Sequence, residues 1–243
     1  MYLQILLSGL VGGLINLDTY CVAQTMISRP LVSSPLLGLM LGILNGFPQE
    51  GLQLGAVIGV ILELIWMNTF QVGTVLPPNA TISSITTTSL VYMGIIGQQL
   101  NPLEKLTFLI LSICFGFIIG LLTKWVDFFI YKKVNIALLH KLEDFIKAGK
   151  LQKIELINWI SIGISLIINF LILIVVMILG LFMVKSTMSF LANKFDLTII
   201  LLLLLLFGCG VTIGVFGVRK NIIYFGVSFL LTTILIMIIY VHS

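Results

Sequence analysis

Residues 33–66 read SSPLLGLMLGILNGFPQEGLQLGAVIGVILELIW, and two features of this run decide the fold. Glycines recur at every fourth position, at Gly38, Gly42 and Gly46 and again at Gly51, Gly55 and Gly59. That spacing clears one helix face so that a second backbone can approach closely, which matters in lipid because no hydrophobic force drives one helix onto another. The break NGFPQEG at 45–51 separates the two stripes. A helix over 31–46 is short for a span, which takes roughly 20 apolar residues. The pattern therefore predicts a discontinuous or re-entrant pair of helices, an element from which transporters build midplane sites. Glycine stripes also serve plain helix packing, so alone they do not establish transport.

Moving outward, Pro77 and Pro78 make a second interruption, followed by the hydroxyl-rich run TISSITTTS at 81–89. Serine and threonine in membrane helices often bond back to their own backbone, so no single hydroxyl is assigned a role. Further on, residues 106–123, 157–184, 197–218 and 221–241 are each long and apolar enough to span.

Composition agrees with this reading. Hydrophobic residues make up 59% of the 243 and charged residues 9%, far from the soluble norm. The expected fold is an all-α polytopic membrane protein of about seven to nine segments, broken or re-entrant in its N-terminal half. It forms one membrane-embedded domain over 1–243. The N-terminus starts apolar without a basic region, and Asp18 interrupts the place of a cleavage site, so it reads as retained membrane structure.

Seven of the thirteen basic residues lie between Lys124 and Lys153. A basic cluster between apolar blocks is expected on the cytoplasmic side, which puts 124–153 inside, Lys185 to Asp196 outside, Arg219 and Lys220 inside and the C-terminus outside. Within 124–153, Leu138, Leu142, Phe145 and Ile146 make an apolar helical stripe. Such a helix suits either a connector lying on lipid headgroups or a docking site for a soluble partner. The net charge of +4 is not arranged as a basic, aromatic-interleaved face, so nucleic acid is not an expected partner.

The chemistry-bearing residues are few. Asp18 and Glu63 stand inside apolar segments, where a carboxylate is a functional-site candidate by default. Asn68, Gln71 and Asn79 follow Glu63. Carboxylates and amides supply the acceptors and donors that sugar hydroxyls need, and Trp66 offers an aromatic face for a pyranose ring. Glu63 equally suits a protonated or paired bundle residue, or the proton-binding group of an ion-coupled carrier. Cys21, Cys114 and Cys209 are scattered in apolar stretches and read as small buried hydrophobes. His140 and His242 have no base or metal partner nearby in sequence. No catalytic set, phosphate-cradling loop, metal cluster or cofactor motif is expected, so any coupled chemistry belongs to a partner.

Three stretches resemble one family, the enzyme IIC component of the mannose/fructose/sorbose class of phosphoenolpyruvate-dependent phosphotransferase systems. They are SRPLVSSPLLGLMLG at 28–42 with Asp18 upstream, GAVIGVILELIWMNTFQVGTVLPPNA at 55–80, and His140 with Gly149, Leu151 and Ile154. NIIYFGVSFLL at 221–231 is a weaker likeness. In the 55–80 stretch Glu63, Gly73, Pro77 and Pro78 fall at the family's spacing, while Asn79 stands where the family has Asp. The break ILNGFPQ at 43–49 is longer than the family's pattern suggests.

The resemblance implies a sugar permease of the bacterial cytoplasmic (inner) membrane that takes a hexose of the mannose class. It implies a homologous membrane subunit, IID, soluble IIA and IIB components that carry the phosphoryl group on their own histidines, and an oligomeric assembly. The sugar-facing carboxylate would correspond to Glu63, with Asp18, Gln71, Asn79 and Asn68 lining or supporting the site. The rival expectations are an ion-coupled secondary carrier and a membrane scaffold or sensor that transports nothing.

Overall fold

The computed structural model describes residues 1–20, 22, 24–67, 77–96, 100–147, 149 and 152–191. Asn68, Gln71, Gly73, Cys21, Cys209, Leu151, His242 and the expected spans at 197–218 and 221–241 lie outside the described residues. The elements are α1 (Tyr2–Tyr20), α2 (Pro30–Asn45), α3 (Pro48–Trp66), α4 (Ala80–Ile95), α5 (Pro102–Phe129), a π-helical turn (Ile130–Asn135), α6 (Ile136–Lys147) and α7 (Gln152–Leu191). All regular structure among the described residues is helical.

Three of these helices are long and apolar enough to cross a membrane, at Pro48–Trp66, Glu104–Phe129 and Ile154–Met188. Pro30–Asn45 is a shorter apolar helix. At 1.5 Å per residue it measures about 24 Å, less than a hydrocarbon core of roughly 30 Å. Its boundaries have local causes. Arg29 is extended (φ −67°, ψ 140°), as a residue before proline tends to be, and Pro30 enters at the first helical position, where its missing N–H costs nothing. The helix ends at Gly46, whose φ of 83° lies in the left-handed region that glycine enters without penalty. Phe47 N–H then donates to the Gly42 carbonyl at 2.8 Å, and Pro48 starts α3.

The chain thus reverses, and α2 and α3 run antiparallel with their glycine stripes facing. A methyl group on Gly38 would strike the carbonyl of Gly51, and one on Gly51 the carbonyl of Gly38. At Gly42 the obstacles are Phe47 O at 2.6 Å and Pro48 Cα at 2.8 Å, and at Gly55 Pro35 Cα at 2.9 Å. Gly59 meets Pro30 O at 2.7 Å. The obstacle is the opposing main chain in each case, so no rotamer change could make room.

α4 is the centre of the bundle. Every residue from Thr81 to Tyr92 is buried, and the helix packs against α1, α2, α3, α5 and α7. Two apolar clusters flank it. One joins Ile5, Val11 and Ile15 of α1 to Leu37, Leu41, Ile85, Leu173 and Met177. The other joins Ile58, Leu62 and Trp66 to Val91, Ile113 and Phe117. Outward-facing positions are apolar as well. Leu3, Leu6, Leu10 and Leu14 of α1 and Ile167, Leu171, Val175 and Phe182 of α7 are exposed, while Ser8, Asn16, Ser84, Thr86 and Asn169 are buried. Polar inside and apolar outside at helical spacing is the arrangement a bilayer requires.

α5 opens with Pro102 and a capping box, in which the N–H of Asn101 donates to Glu104 Oε2 at 2.9 Å. It runs without a break through Lys124 to Phe129, and the π-helical turn carries it into α6. In α6, Leu138, Leu142 and Phe145 are half-buried, while Ile146 is exposed together with Lys141, Glu143, Asp144 and Lys147. α7 continues past Lys185 to Leu191.

The hairpin's dependence on bare backbone is testable. Gly51→Leu should lower the thermal unfolding midpoint of the detergent-solubilised protein, with a loss of stability greater than the ~1–3 kcal/mol of ordinary overpacking. Leu52→Val, at the exposed neighbouring position, should leave the midpoint as in the wild type. An unchanged midpoint for Gly51→Leu would mean the close approach is dispensable.

Candidate functional site

One end of the bundle gathers the C-terminal ends of α1, α3 and α5 with the N-terminal ends of α2 and α4. Asp18, in the last turn of α1, is buried and turns its carboxylate to the 22–29 connection. Oδ1 accepts from Thr25 N–H at 2.7 Å and from Thr25 Oγ1 at 2.9 Å, and Oδ2 accepts from Ser28 N–H at 3.2 Å. Two non-glycine residues beside Thr25 are left-handed, Gln24 with φ 50° and Met26 with φ 65°. Such backbone persists only where its surroundings over-determine it; here the Asp18 carboxylate acts together with backbone bonds from Val22 to Leu17 and Arg29 to Met26 and with Thr81 Oγ1 on the Ser28 carbonyl.

Glu63, near the C-terminal end of α3, meets the start of α2. Its Oε1 lies 3.5 Å from Arg29 Nη1, and Oε2 accepts from Leu31 N–H at 3.3 Å. A carboxylate at a helix N-terminus satisfies an amide without an intrahelical partner and lies at the positive end of the helix dipole. Glu63 and Arg29 are both partly exposed, at 24% and 27% of the side chain, so the pair borders accessible space.

Asn79 is buried and caps α4, its Oδ1 accepting from Ile82 N–H at 2.9 Å. Its Nδ2 donates to Asp127 Oδ2 at 2.9 Å, and its backbone N–H to the Gly120 carbonyl at 2.9 Å. Asp127 is itself buried, with 7% of its surface exposed. It completes a stripe on α5: Gly116 packs on Thr87 and Ser83, Gly120 on Ser83 and Asn79, and Thr123 turns its hydroxyl back to the Ile119 carbonyl at 2.8 Å.

The hydroxyl run of α4 knits these parts together. Thr81 Oγ1 donates to the Ser28 carbonyl at 2.9 Å and lies 3.3 Å from Thr19 Oγ1. Ser33 and Ser84 share a hydrogen bond at 2.7 Å. Thr87 and Ser84 bond back to the backbone of their own helix at Ser83 and Thr81, the behaviour expected of membrane hydroxyls. Trp66 differs from its expected role. It is 2% exposed, stacked on Phe117 with centroids 5.0 Å apart, and its Nε1 donates to Ser83 Oγ at 3.3 Å. The indole face is core and is not open to a sugar ring, because α4 and α5 close over it.

The structure therefore brings Asp18, Glu63 and Asn79 to one layer, while Asn68 and Gln71 lie outside the described residues. It adds Arg29 and Asp127, which the sequence reading did not select. Asp127 has a legible signal, since apolar Trp125, Val126, Phe128 and Phe129 surround it, but the neighbouring lysines hide it within a basic segment. Arg29 stands in the family-like stretch at 28–42, but nothing there announces its pairing, because its carboxylate partner is 34 positions away in a different helix. Among the described residues no cluster of His, Cys, Asp and Glu is arranged to hold a metal ion. His140 lies on α6, 3.8 Å from Glu143 and largely exposed.

A family model described as the PTS system sorbose-specific IIC component matches residues 2–242. The chain belongs to this family. It is thus a membrane component of sugar transport by the phosphotransferase system, within the mannose/fructose/sorbose class. The fold of this IIC component is similar to that of a solved chain described as "Structure of membrane protein", with a TM-score of 0.62 at 17% identity, covering 100% of this chain and 96% of that one. No curated protein matches it.

Asp18→Ala removes the side-chain acceptor that Thr25 and Ser28 share on α1. Hydrogen exchange at the amides of Thr25 and Ser28 should then accelerate by about tenfold or more, read by mass spectrometry of the peptide that carries them. Exchange at the wild-type rate would show that the connection is held by something other than this carboxylate.

Proposed function

We propose that this IIC component binds a hexose of the mannose class at the layer where Asp18, Glu63 and Asn79 converge and passes it to the cytoplasmic face. The observation that supports this most is the convergence itself. Ionisable and amide side chains cluster with the N-termini of two short helices at one end of the hydroxyl-rich centre of the bundle. Half-helix termini pointing into a bundle are a recurrent way to build a transport site, and carboxylates accept hydrogen bonds from sugar hydroxyls. Glu63 is the principal sugar ligand in this reading, Asp18 and Asn79 line or support the site, and Asn68 and Gln71 contribute from the segment after α3.

With the basic segment 124–153 cytoplasmic, the layer lies at the bundle end from which α5 leads into α6. The protein sits in the bacterial inner membrane as a multi-pass chain, forming one transport domain and working as an oligomer with the IID subunit. IIA passes the phosphoryl group to IIB, and IIB phosphorylates the arriving sugar. In that step a sugar hydroxyl oxygen bonds to phosphorus, the bond from phosphorus to the IIB histidine nitrogen breaks, and the hydroxyl proton leaves. The charged product cannot recross the bilayer. This chain supplies binding and passage, and the partner supplies the chemistry.

Vesicles that contain the chain and IID should accumulate sugar phosphate from labelled mannose only when phosphorylated IIB is present on the cytoplasmic side. Glu63→Ala should abolish that uptake while inserting normally. Free sugar accumulating with an ion gradient would mean a secondary carrier instead, and the absence of uptake under all conditions would mean a scaffold or sensor.

A further inference from the structure

Asp127 is a buried carboxylate that the family reading does not use. Its only hydrogen bond among the described residues comes from Asn79, on Oδ2. Among the described residues no donor reaches Oδ1, and the residue is more than nine-tenths buried. The other groups of the layer are differently placed: both oxygens of Asp18 are taken up by the 22–29 connection, and Glu63 is divided between Arg29 and the Leu31 amide. Asn79 uses Oδ1 on its own helix and Nδ2 on Asp127. Among the described carboxylates of the layer, the oxygen left without a protein donor is therefore on α5.

Position along α5 supports the same conclusion. Gly116, Gly120, Thr123 and Asp127 follow one another at helical spacing on the face that meets α4, while Leu121, Leu122, Trp125, Phe128 and Phe129 are exposed. The stripe is small where it packs on the α4 hydroxyls and ends in a charge beside the α4 cap. To accept from Asn79 alone, a neutral amide or hydroxyl would suffice at 127. A carboxylate is the costlier choice inside an apolar bundle, and it needs a second, polar partner.

We propose that Asp127 is a sugar-contacting residue, its Oδ1 accepting a hydrogen bond from a hydroxyl of the transported hexose while Asn79 holds Oδ2 as a positioning residue. This rests on the sugar-transport reading above. Asn79 thus serves the site by aiming its neighbour's carboxylate.

Asp127→Asn keeps an acceptor for Asn79 and removes the charge. In vesicles with IID and phosphorylated IIB, its KM for hexose should rise about tenfold or more, as for loss of a charged hydrogen bond. Its maximal rate, membrane level and thermal midpoint should stay near wild type. The double variant Asn79→Asp with Asp127→Asn preserves the bond across the pair but moves the carboxylate, and its KM should also rise. A wild-type KM in either variant, or failure of both to assemble, would make the pair a structural tie and overturn the proposal. Glu63→Ala assayed in parallel separates the two readings. If it abolishes uptake while Asp127→Asn keeps the wild-type KM, only the role of Asp127 falls; if both transport normally, the site itself falls.

Discussion

A helix with seven hydroxyls in nine positions cannot face hydrocarbon, and the burial of α4 organises everything around it. The cost of exposing unsatisfied polar groups to lipid is several kcal/mol each, so Thr81–Ser89 is wrapped on every side by α1, α2, α3, α5 and α7. The wrapping helices in turn leave many leucines and isoleucines outward and bury polar side chains such as Ser8, Asn16, Ser112 and Asn169. The apolar clusters on either side of α4 fill the gaps between hydroxyls, so the centre is a polar rod inside an apolar jacket.

Two short helices reach that rod because their own contact is so close. The glycine stripes of α2 and α3 bring backbone against backbone, and the hairpin enters the bundle as a thin unit. Dispersion falls off steeply with separation, so the absence of side chains between the helices is what makes their packing favourable in lipid. The hairpin then presents Ser33 to Ser84 and Trp66 to Ser83. It also places the start of α2 and the end of α3 together, which is why Arg29 and Glu63 can pair.

The chemistry of the site follows from this geometry. Chain ends that would otherwise leave amides unsatisfied are capped by the residues the sequence offers as sugar ligands: Glu63 at α2 and Asn79 at α4. Asp18 does the equivalent for a connection with two left-handed residues. Each side chain thus has a structural duty of its own, independent of any role in binding.

Much of this is legible in the residues alone. Bilayer embedding follows from composition, and the hairpin from a glycine period interrupted by Gly46 and Pro48, because both are local properties of the chain. The family likeness and the candidacy of Asp18, Glu63 and Asn79 also follow, since a carboxylate or amide in an apolar run is conspicuous at sight. What each of them touches was decided only in three dimensions. Asn79 and Asp127 are 48 positions apart, and nothing local to either announces the other. The burial of Trp66 against Phe117 is of the same kind, an aromatic face that looked available until a distant helix covered it. Helix formation and membrane insertion are governed by short-range pattern, whereas the pairing of a polar side chain depends on which helix the packing sets opposite it.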